Sequence, residues 1–219
     1  MKILLIRPPG NDLFRWKSPP LGLTSIAGYL RSVGIVEDHE VEIIDFFPMT
    51  ISTEDALAEI LRREPSIVGV SFLTAQAELA FDFAQALRKH SGVLTVAGGA
   101  HPTACAQEVL EAGYDVVIPG EGEEAFAEVV HRYAAKEITQ GRGGIFRRSL
   151  MSAGNIPTPA WDFLDFPAGY NESIGLDHDL AFPLMTSRGC AYDCSFCASK
   201  SIWQGKIRCR SPQAVIDEI

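Results

Sequence analysis

Near one end of the chain, Cys190-Ala-Tyr-Asp-Cys194-Ser-Phe-Cys197 places three thiols within eight residues. Thiolates at C-x3-C-x2-C spacing can wrap three corners of an iron–sulfur cube and leave the fourth iron without a protein ligand. Electron-transfer ferredoxins use four cysteines at other spacings, and their closed clusters leave no room for a substrate. Gly189 permits a turn ahead of the first thiol, and Phe196 offers an aromatic face beside the last. A structural zinc ion with Cys209 as fourth ligand is the alternative, although zinc sites usually pair two C-x2-C-like knuckles and one is missing here. With Cys105 the total is five cysteines, an odd and clustered set that makes poor material for a disulfide framework. Cys105 lies on an apolar helical stretch and reads as core.

The pattern Cys190-x-x-x-Cys194-x-Phe196-Cys197 resembles the signature of the radical S-adenosylmethionine superfamily. That resemblance implies a [4Fe-4S] cluster on Cys190, Cys194 and Cys197, with its open iron chelating S-adenosylmethionine and Phe196 packing against the adenine. It also implies a small-molecule substrate and an electron donor such as flavodoxin or ferredoxin.

The elements that must position this loop follow from hydrophobic period. Residues 2–7, 41–46, 67–72, 94–97 and 116–118 are β-branched or aliphatic runs of strand length. Most are continuously apolar, as expected of strands buried on both faces of a parallel sheet. Between them lie helical stripes: Leu23, Ile26, Ala27 and Leu30; Leu57, Ile60 and Leu61 after a cap at Ser52 or Thr53; Ala80, Phe83, Ala84 and Leu87; and Phe126, Val129, Val130 and Tyr133. A shorter helix fits residues 103–112. Five strands alternating with five helices imply an α/β, doubly wound, Rossmann-like domain over residues 1–135. Residues 136–180 break the periodicity and read as a linker with a short hairpin, its Trp161, Phe163 and Phe166 packing onto a neighbouring domain. Residues 181–219 then supply a strand at 182–186, the cysteine loop, and a helix capped by Ser211 with Pro212 at its first position. They look like the truncated start of a (β/α) barrel, where active-site loops follow strands. One strand, a loop and part of a helix do not make a domain, so this segment is expected to be poorly ordered or to dock at a sheet edge or on a partner chain. A chain of this extent is not expected to turn over by itself.

The bulk composition narrows the partners. Of 219 residues 47% are hydrophobic, and the formal charge of −9 argues against a nucleic-acid partner, which would need clustered Lys and Arg. No apolar run approaches the roughly 20 residues of a membrane span. A cytoplasmic protein is expected.

Ligands of open α/β sheets bind beyond the carboxyl ends of the strands. Those ends carry Pro8-Pro9-Gly10, Ser71-Phe72-Leu73-Thr74, Gly98-Gly99-Ala100-His101-Pro102 and Gly120-Glu121-Gly122-Glu123, while the G-x-G-x-x-G dinucleotide fingerprint is absent. With Pro19-Pro20-Leu21-Gly22-Leu23 opening the first helix, these loops resemble the cobalamin-binding domain of cobalamin-dependent radical S-adenosylmethionine enzymes, a likeness shared with the anaerobic magnesium-protoporphyrin monomethyl ester cyclase group. The resemblance implies that the nucleotide tail of cobalamin runs along Pro9, Leu21, Gly22, Ser71, Thr74, Gly98, Gly99, His101, Gly120, Glu121 and Gly122. The D-x-H-x-x-G motif that supplies a cobalt-ligating histidine in several cobalamin enzymes is missing. His101 is read either as a cofactor contact or as a residue hydrogen-bonding its own turn. Glu121 and Glu123 are read as complements to a helix N-terminus without a catalytic role. Trp16, Trp161 and Trp203 are candidates for a domain interface. The remaining open readings are a stand-alone cobalamin or small-ligand module and a zinc-stabilised interaction domain.

Overall fold

Side chains alternate strictly across the strand Lys2–Arg7 (β1), and both of its faces are covered. Ile3 and Leu5 enter one apolar cluster while Leu4 and Ile6 enter another, all four at 0–1% exposure. A strand with water on neither side must be sandwiched between helical layers, and this one is. The computed structural model describes residues 1–10, 18–90, 92–164, 170 and 183–219. Trp16, Phe166 and Phe182 lie outside the described residues.

After β1 the chain runs through helix Leu21–Ser32 (α1), the single turn Ile35–Asp38 (α2), strand Glu40–Asp45 (β2) and helix Thr53–Arg62 (α3). Strand Ile67–Ser71 (β3), helix Ala77–Leu87 (α4) and strand Leu94–Gly98 (β4) follow, then the short helices Ala100–Ala104 (α5) and Ala106–Glu111 (α6). Strand Val116–Ile118 (β5), helix Glu123–Ala134 (α7) and the two-residue strand Gly144–Ile145 (β6) complete the sheet. Its order is β2-β1-β3-β4-β5-β6, with every pairing parallel. Helices α1 and α7 cover one face, through Leu23, Ala27, Leu30, Phe126 and Val129. Helices α3, α4 and α6 cover the other, through Ile60, Phe83, Leu87 and Val109.

The α/β doubly wound reading therefore holds, with a sixth strand that hydrophobic period could not reveal: Gly144–Ile145 offers two residues, one of them glycine. Tertiary hydrogen bonds place it there. Buried Asp115 accepts from Thr95 N–H (2.8 Å), from the Thr95 hydroxyl (2.9 Å) and from Gly141 N–H (2.6 Å). One carboxylate thus ties β4 to the start of β5 and to the loop that delivers β6.

Of the two expected caps, Ser52 acts, its hydroxyl accepting from Asp55 N–H at 3.0 Å. The helix expected over residues 103–112 is two helices instead, broken at Cys105, where φ is −126° and ψ is 45°. Cys105 is consequently half-exposed rather than core. The stretch after β6 folds back on the first domain: Ala160 N–H donates to Thr24 O (2.9 Å), Leu164 bridges Ile43, and Arg31 lies 4.7 Å over the Phe163 ring. Tyr170 donates its hydroxyl to Asp45, which also accepts both arms of Arg7.

The last segment departs furthest from expectation. The strand expected at 182–186 is observed as Ser187–Arg188 (β7), pairing antiparallel with Arg208–Cys209 (β8). An orphan strand needs a partner, and this one finds it within its own segment rather than at a sheet edge. Between the two strands lie the cysteine loop and helix Ser199–Trp203 (α8), which packs on α5. Helix Pro212–Ile216 (α9) follows with Ser211 as its cap, the hydroxyl accepting from Ala214 N–H at 3.1 Å.

Replacing Asp115 with Ala leaves the buried Thr95 N–H and hydroxyl without their acceptor, each worth about 1–3 kcal/mol, and frees the exposed Gly141 N–H to water. Asp115→Ala is expected to lower stability by roughly 2–4 kcal/mol, read as a reduced urea midpoint at unchanged slope.

Candidate functional site: a glycine-rimmed cleft beside a cysteine loop

Beyond the carboxyl ends of β3, β4 and β5, a cleft of about 270 Å³ opens between the sheet and helices α1 and α7. Its floor is apolar, made by Leu5, Val70, Val96, Ile118 and Phe126. Its rim is made by the glycine loops. Gly99 has φ +104°, and a Cβ there would stand 2.8 Å from Phe72 O, so no other residue lets β4 leave the sheet along this path. At Gly22 and Gly120 a Cβ would meet nothing within 4 Å, and at Gly98 only Ile118 O at 3.9 Å. These three positions therefore hold space that any side chain would fill.

Eight of the twelve residues expected to contact a cofactor line this cleft: Leu21, Gly22, Ser71, Gly98, Gly99, Gly120, Glu121 and Gly122. Four do not. The Pro8 carbonyl accepts from Gln76 Nε2 (3.1 Å), which holds the loop of Pro9 against the Leu73–Gln76 turn instead. Thr74 is exposed and meets His101 Nδ1 at 3.3 Å. His101 points away from the cleft into Phe72 and Phe81, with ring centroids at 5.7 and 6.0 Å. Phe196 is 90% exposed at the tip of the cysteine loop.

Sequence reasoning missed the cleft's third wall, contributed by Met185, Arg188 and Trp203 of the last segment. Arg188 is 5% exposed, and its guanidinium forks between residues of the first turn of α7, the loop before it and α1. Nη1 donates to Glu121 (2.9 Å), while Nη2 donates to Glu123 (2.5 Å) and to the Ser25 hydroxyl (2.9 Å). The second oxygen of Glu121 accepts from Arg208 (2.7 Å) and from Met151 N–H (2.8 Å). Glu121 and Glu123 thus do more than complement the start of α7. Burial alone would raise the Glu121 pKa, but the hydrogen bonds from Arg208, Arg188 and Met151 outweigh it and hold the carboxyl below its ordinary value. Burial likewise opposes the Arg188 charge, and Glu123 and Glu121 reverse that effect. The signal available in advance was electrostatic: two acidic residues at a buried rim require a cation, and Arg188 stands directly before Gly189-Cys190.

Gly189 has φ +101°, and a Cβ there would fall 1.8 Å from Lys206 O, so the expected turn ahead of the cysteines is real and obligatory. From it Cys190 emerges half-buried, and Cys194 and Cys197 emerge exposed. A mononuclear zinc site with Zn–S bonds of about 2.3 Å needs sulfurs within roughly 4 Å of one another. Among the described residues these thiols form no such group, and Cys209 is held in β8 opposite Ser187. The Cys197 thiol lies 3.2 Å from the Ser199 hydroxyl, and hydrogen bonds from that hydroxyl and the Ser199 N–H to the thiolate lower its pKa.

Residues 14–130, more than half of the chain, match the family described as B12 binding domain. The chain belongs to this family. The B12-binding region contains all the glycine loops of the cleft but ends well before the cysteines. Over its full length the chain is 29% identical to an uncharacterized methyltransferase of Pyrococcus horikoshii, covering 50% of that protein. It is 28% identical to the anaerobic magnesium-protoporphyrin IX monomethyl ester cyclase of Cereibacter sphaeroides, covering 38%. The chain thus spans half or less of these curated relatives. In fold, 99% of it superposes on 30% of the cobalamin-dependent S-adenosylmethionine radical enzyme OxsB (TM-score 0.72, 20% identity). The same share superposes on 44% of the radical S-adenosylmethionine methyltransferase TsrM of Kitasatospora setae, solved with cobalamin and a [4Fe-4S] cluster (TM-score 0.66, 16% identity). Among the described residues, no helix is long and apolar enough to cross a membrane.

Three outcomes are expected. Arg188→Met leaves Glu123 buried without its cation and Glu121 with Arg208 alone, at a cost of about 3–5 kcal/mol, and limited proteolysis within residues 189–206 should accelerate. Because the folded pKa of Glu121 lies below its unfolded value of about 4.3, its contribution is complete above that pH and lost as pH falls through the folded value. The stability gap between wild type and Glu121→Gln should therefore be widest near neutrality and close in acid. For the loop, Ser199→Ala should move the alkylation-rate profile of Cys197 to higher pH, measured by iodoacetamide labelling and peptide mass spectrometry.

Proposed function

We propose that this chain is the cofactor-holding part of a cobalamin-dependent radical S-adenosylmethionine enzyme acting on a small molecule, by methyl transfer or another radical step. The observation that supports this most is the shared wall: the strand that leads into the cysteine loop also closes the cleft, through Arg188. The loop and the cleft are therefore built as neighbours.

The cleft suits one part of cobalamin. At about 270 Å³ it is smaller than the roughly 300–1,000 Å³ that encloses a drug-sized ligand. It can take the flat, largely apolar nucleotide tail but not the corrin. Gly22, Gly98 and Gly120 admit a ring close to the backbone, and the apolar floor withdraws it from water. Ser25 and Ser71 provide hydroxyls, while Glu121 and Glu123 are neutralised by Arg188 and Arg208 together and so do not repel a phosphate. Cys190, Cys194 and Cys197 would hold the [4Fe-4S] cluster, Gly189 setting the direction in which they leave β7 and the hydrogen bonds from Ser199 shifting Cys197 towards the thiolate that ligates iron. When bound, the cluster and S-adenosylmethionine supply one-electron cleavage of a sulfonium bond, and cobalamin supplies a methyl carrier. An external electron donor and a cytoplasmic setting belong to the same reading, as does a division into a cofactor domain over residues 1–135, a linker and a barrel segment from residue 181.

Gly98→Val puts a side chain into the cleft without forcing a left-handed residue. It should weaken hydroxocobalamin binding at least about 10-fold (about 1.4 kcal/mol) with little change in melting temperature, measured by spectral titration after anaerobic reconstitution with iron and sulfide. Equal binding by wild type and Gly98→Val, or none by wild type, would remove the cleft from this reading.

A further inference from the structure

The corner between α5 and α6 holds a group of ligating side chains that the cleft and the cysteine loop do not use. His101 Nε2, Cys105 Sγ and a Glu108 carboxylate oxygen lie within 4.8 Å of one another. Their spacings of four and three residues bring them to one side of the broken helix. We propose that these three residues form a binding site for a single first-row divalent cation, zinc being the best match to the donor set.

The histidine carries the argument. It is 5% exposed, and its Nε2 is buried with no hydrogen-bond partner among the described residues. A buried polar atom left unsatisfied costs about 1–3 kcal/mol, and native proteins keep few of them without a reason. The nearest carboxylate oxygen, on Glu108, is 3.9 Å away, too far for a hydrogen bond but right for two ligands facing one ion. On the other side of the ring, Nδ1 faces the Thr74 hydroxyl at 3.3 Å. With Nδ1–H donating there, Nε2 carries the free lone pair and points at Cys105 and Glu108. A second-shell hydrogen bond of this kind sets tautomer and orientation in metal-ligating histidines. Phe72 and Phe81 pack against the ring, with centroids at 5.7 and 6.0 Å, and limit its rotation.

The chemistry selects the ion. One imidazole, one thiolate and one carboxylate form a mixed set that suits Zn²⁺ and its surrogate Co²⁺, whereas Mg²⁺ and Ca²⁺ prefer oxygen alone. Bond lengths of about 2.0–2.3 Å put neighbouring ligand atoms 3–4 Å apart, so a group already within 4.8 Å closes on the ion by small rotations of the half-exposed Cys105 and the exposed Glu108. The thiolate and carboxylate together neutralise the dication, which makes a partly buried site affordable. The half-exposed side leaves a fourth position for water.

The cysteine loop would bind the same ions, so the test uses the full chain with Cys190, Cys194, Cys197 and Cys209 replaced by Ser, leaving Cys105 as the single thiol. Anaerobic titration with Co²⁺ should give one saturable equivalent, with a thiolate-to-cobalt charge-transfer band in the near ultraviolet and strong visible bands of a four-coordinate ion, displaced by Zn²⁺. Adding Cys105→Ser should abolish the charge-transfer band. Adding Glu108→Gln, an exposed change, should weaken binding at least about 10-fold with the circular dichroism spectrum and melting temperature unchanged. Absence of a saturable site, or binding indifferent to both substitutions in folded protein, overturns the proposal.

Discussion

Arg188 occupies a position on which the other parts of this molecule converge. Its guanidinium is withdrawn from water and its two terminal nitrogens donate to Glu121, Glu123 and Ser25, so it joins the loop after β5, the first turn of α7 and the body of α1 to the strand that launches the cysteine loop. Buried ion pairs add little net stability compared with apolar packing, because desolvation cancels most of the attraction. What a planar fork of donors adds is geometry. Sliding β7 by one residue would turn Arg188 outward, leaving Glu123 buried without its cation and Glu121 with Arg208 alone. The pairing register with β8, the turn at Gly189 and the third wall of the cleft are thereby all held by one side chain.

The same constraint explains how an acidic loop can border the cleft without giving it a negative rim. Glu121 and Glu123 are almost entirely buried, and Arg188 and Arg208 consume their charge. The rim thus presents glycine backbone and neutralised carboxylates rather than a negative surface. The arrangement also gives the B12-binding domain a fixed relation to the segment after it.

Much of the fold was legible in sequence because its signals are local and strong. Continuous apolar runs at 2–7, 67–72 and 94–97 can only be strands covered on both faces, and the stripe Phe126, Val129, Val130, Tyr133 can only be a helix packed on one. The Ser52 and Ser211 caps, the turn at Gly189 and eight of the cleft-lining residues followed from the same kind of reading. The failures share a cause. β6 is two residues long and owes its place to Asp115, which carries no periodic signal. The helix at Cys105 breaks although the local pattern is helical, and His101 turns away from the cleft because Phe72 and Phe81, distant in sequence or on another element, offer it an aromatic slot.

Residue type and spacing alone determined that three thiols lie together, that a parallel sheet precedes them, and that glycines line its carboxyl edge. These follow from valence, hydrophobic period and the steric freedom of glycine, none of which depends on distant residues. Only the tertiary structure decided which loops meet. It placed Arg188 between Glu121 and Glu123, set Trp203 against the cleft, and removed Pro9, Thr74, His101 and Phe196 from it. Pairings between residues 65 positions apart depend on the summed packing of every element between them, and no local pattern records that sum.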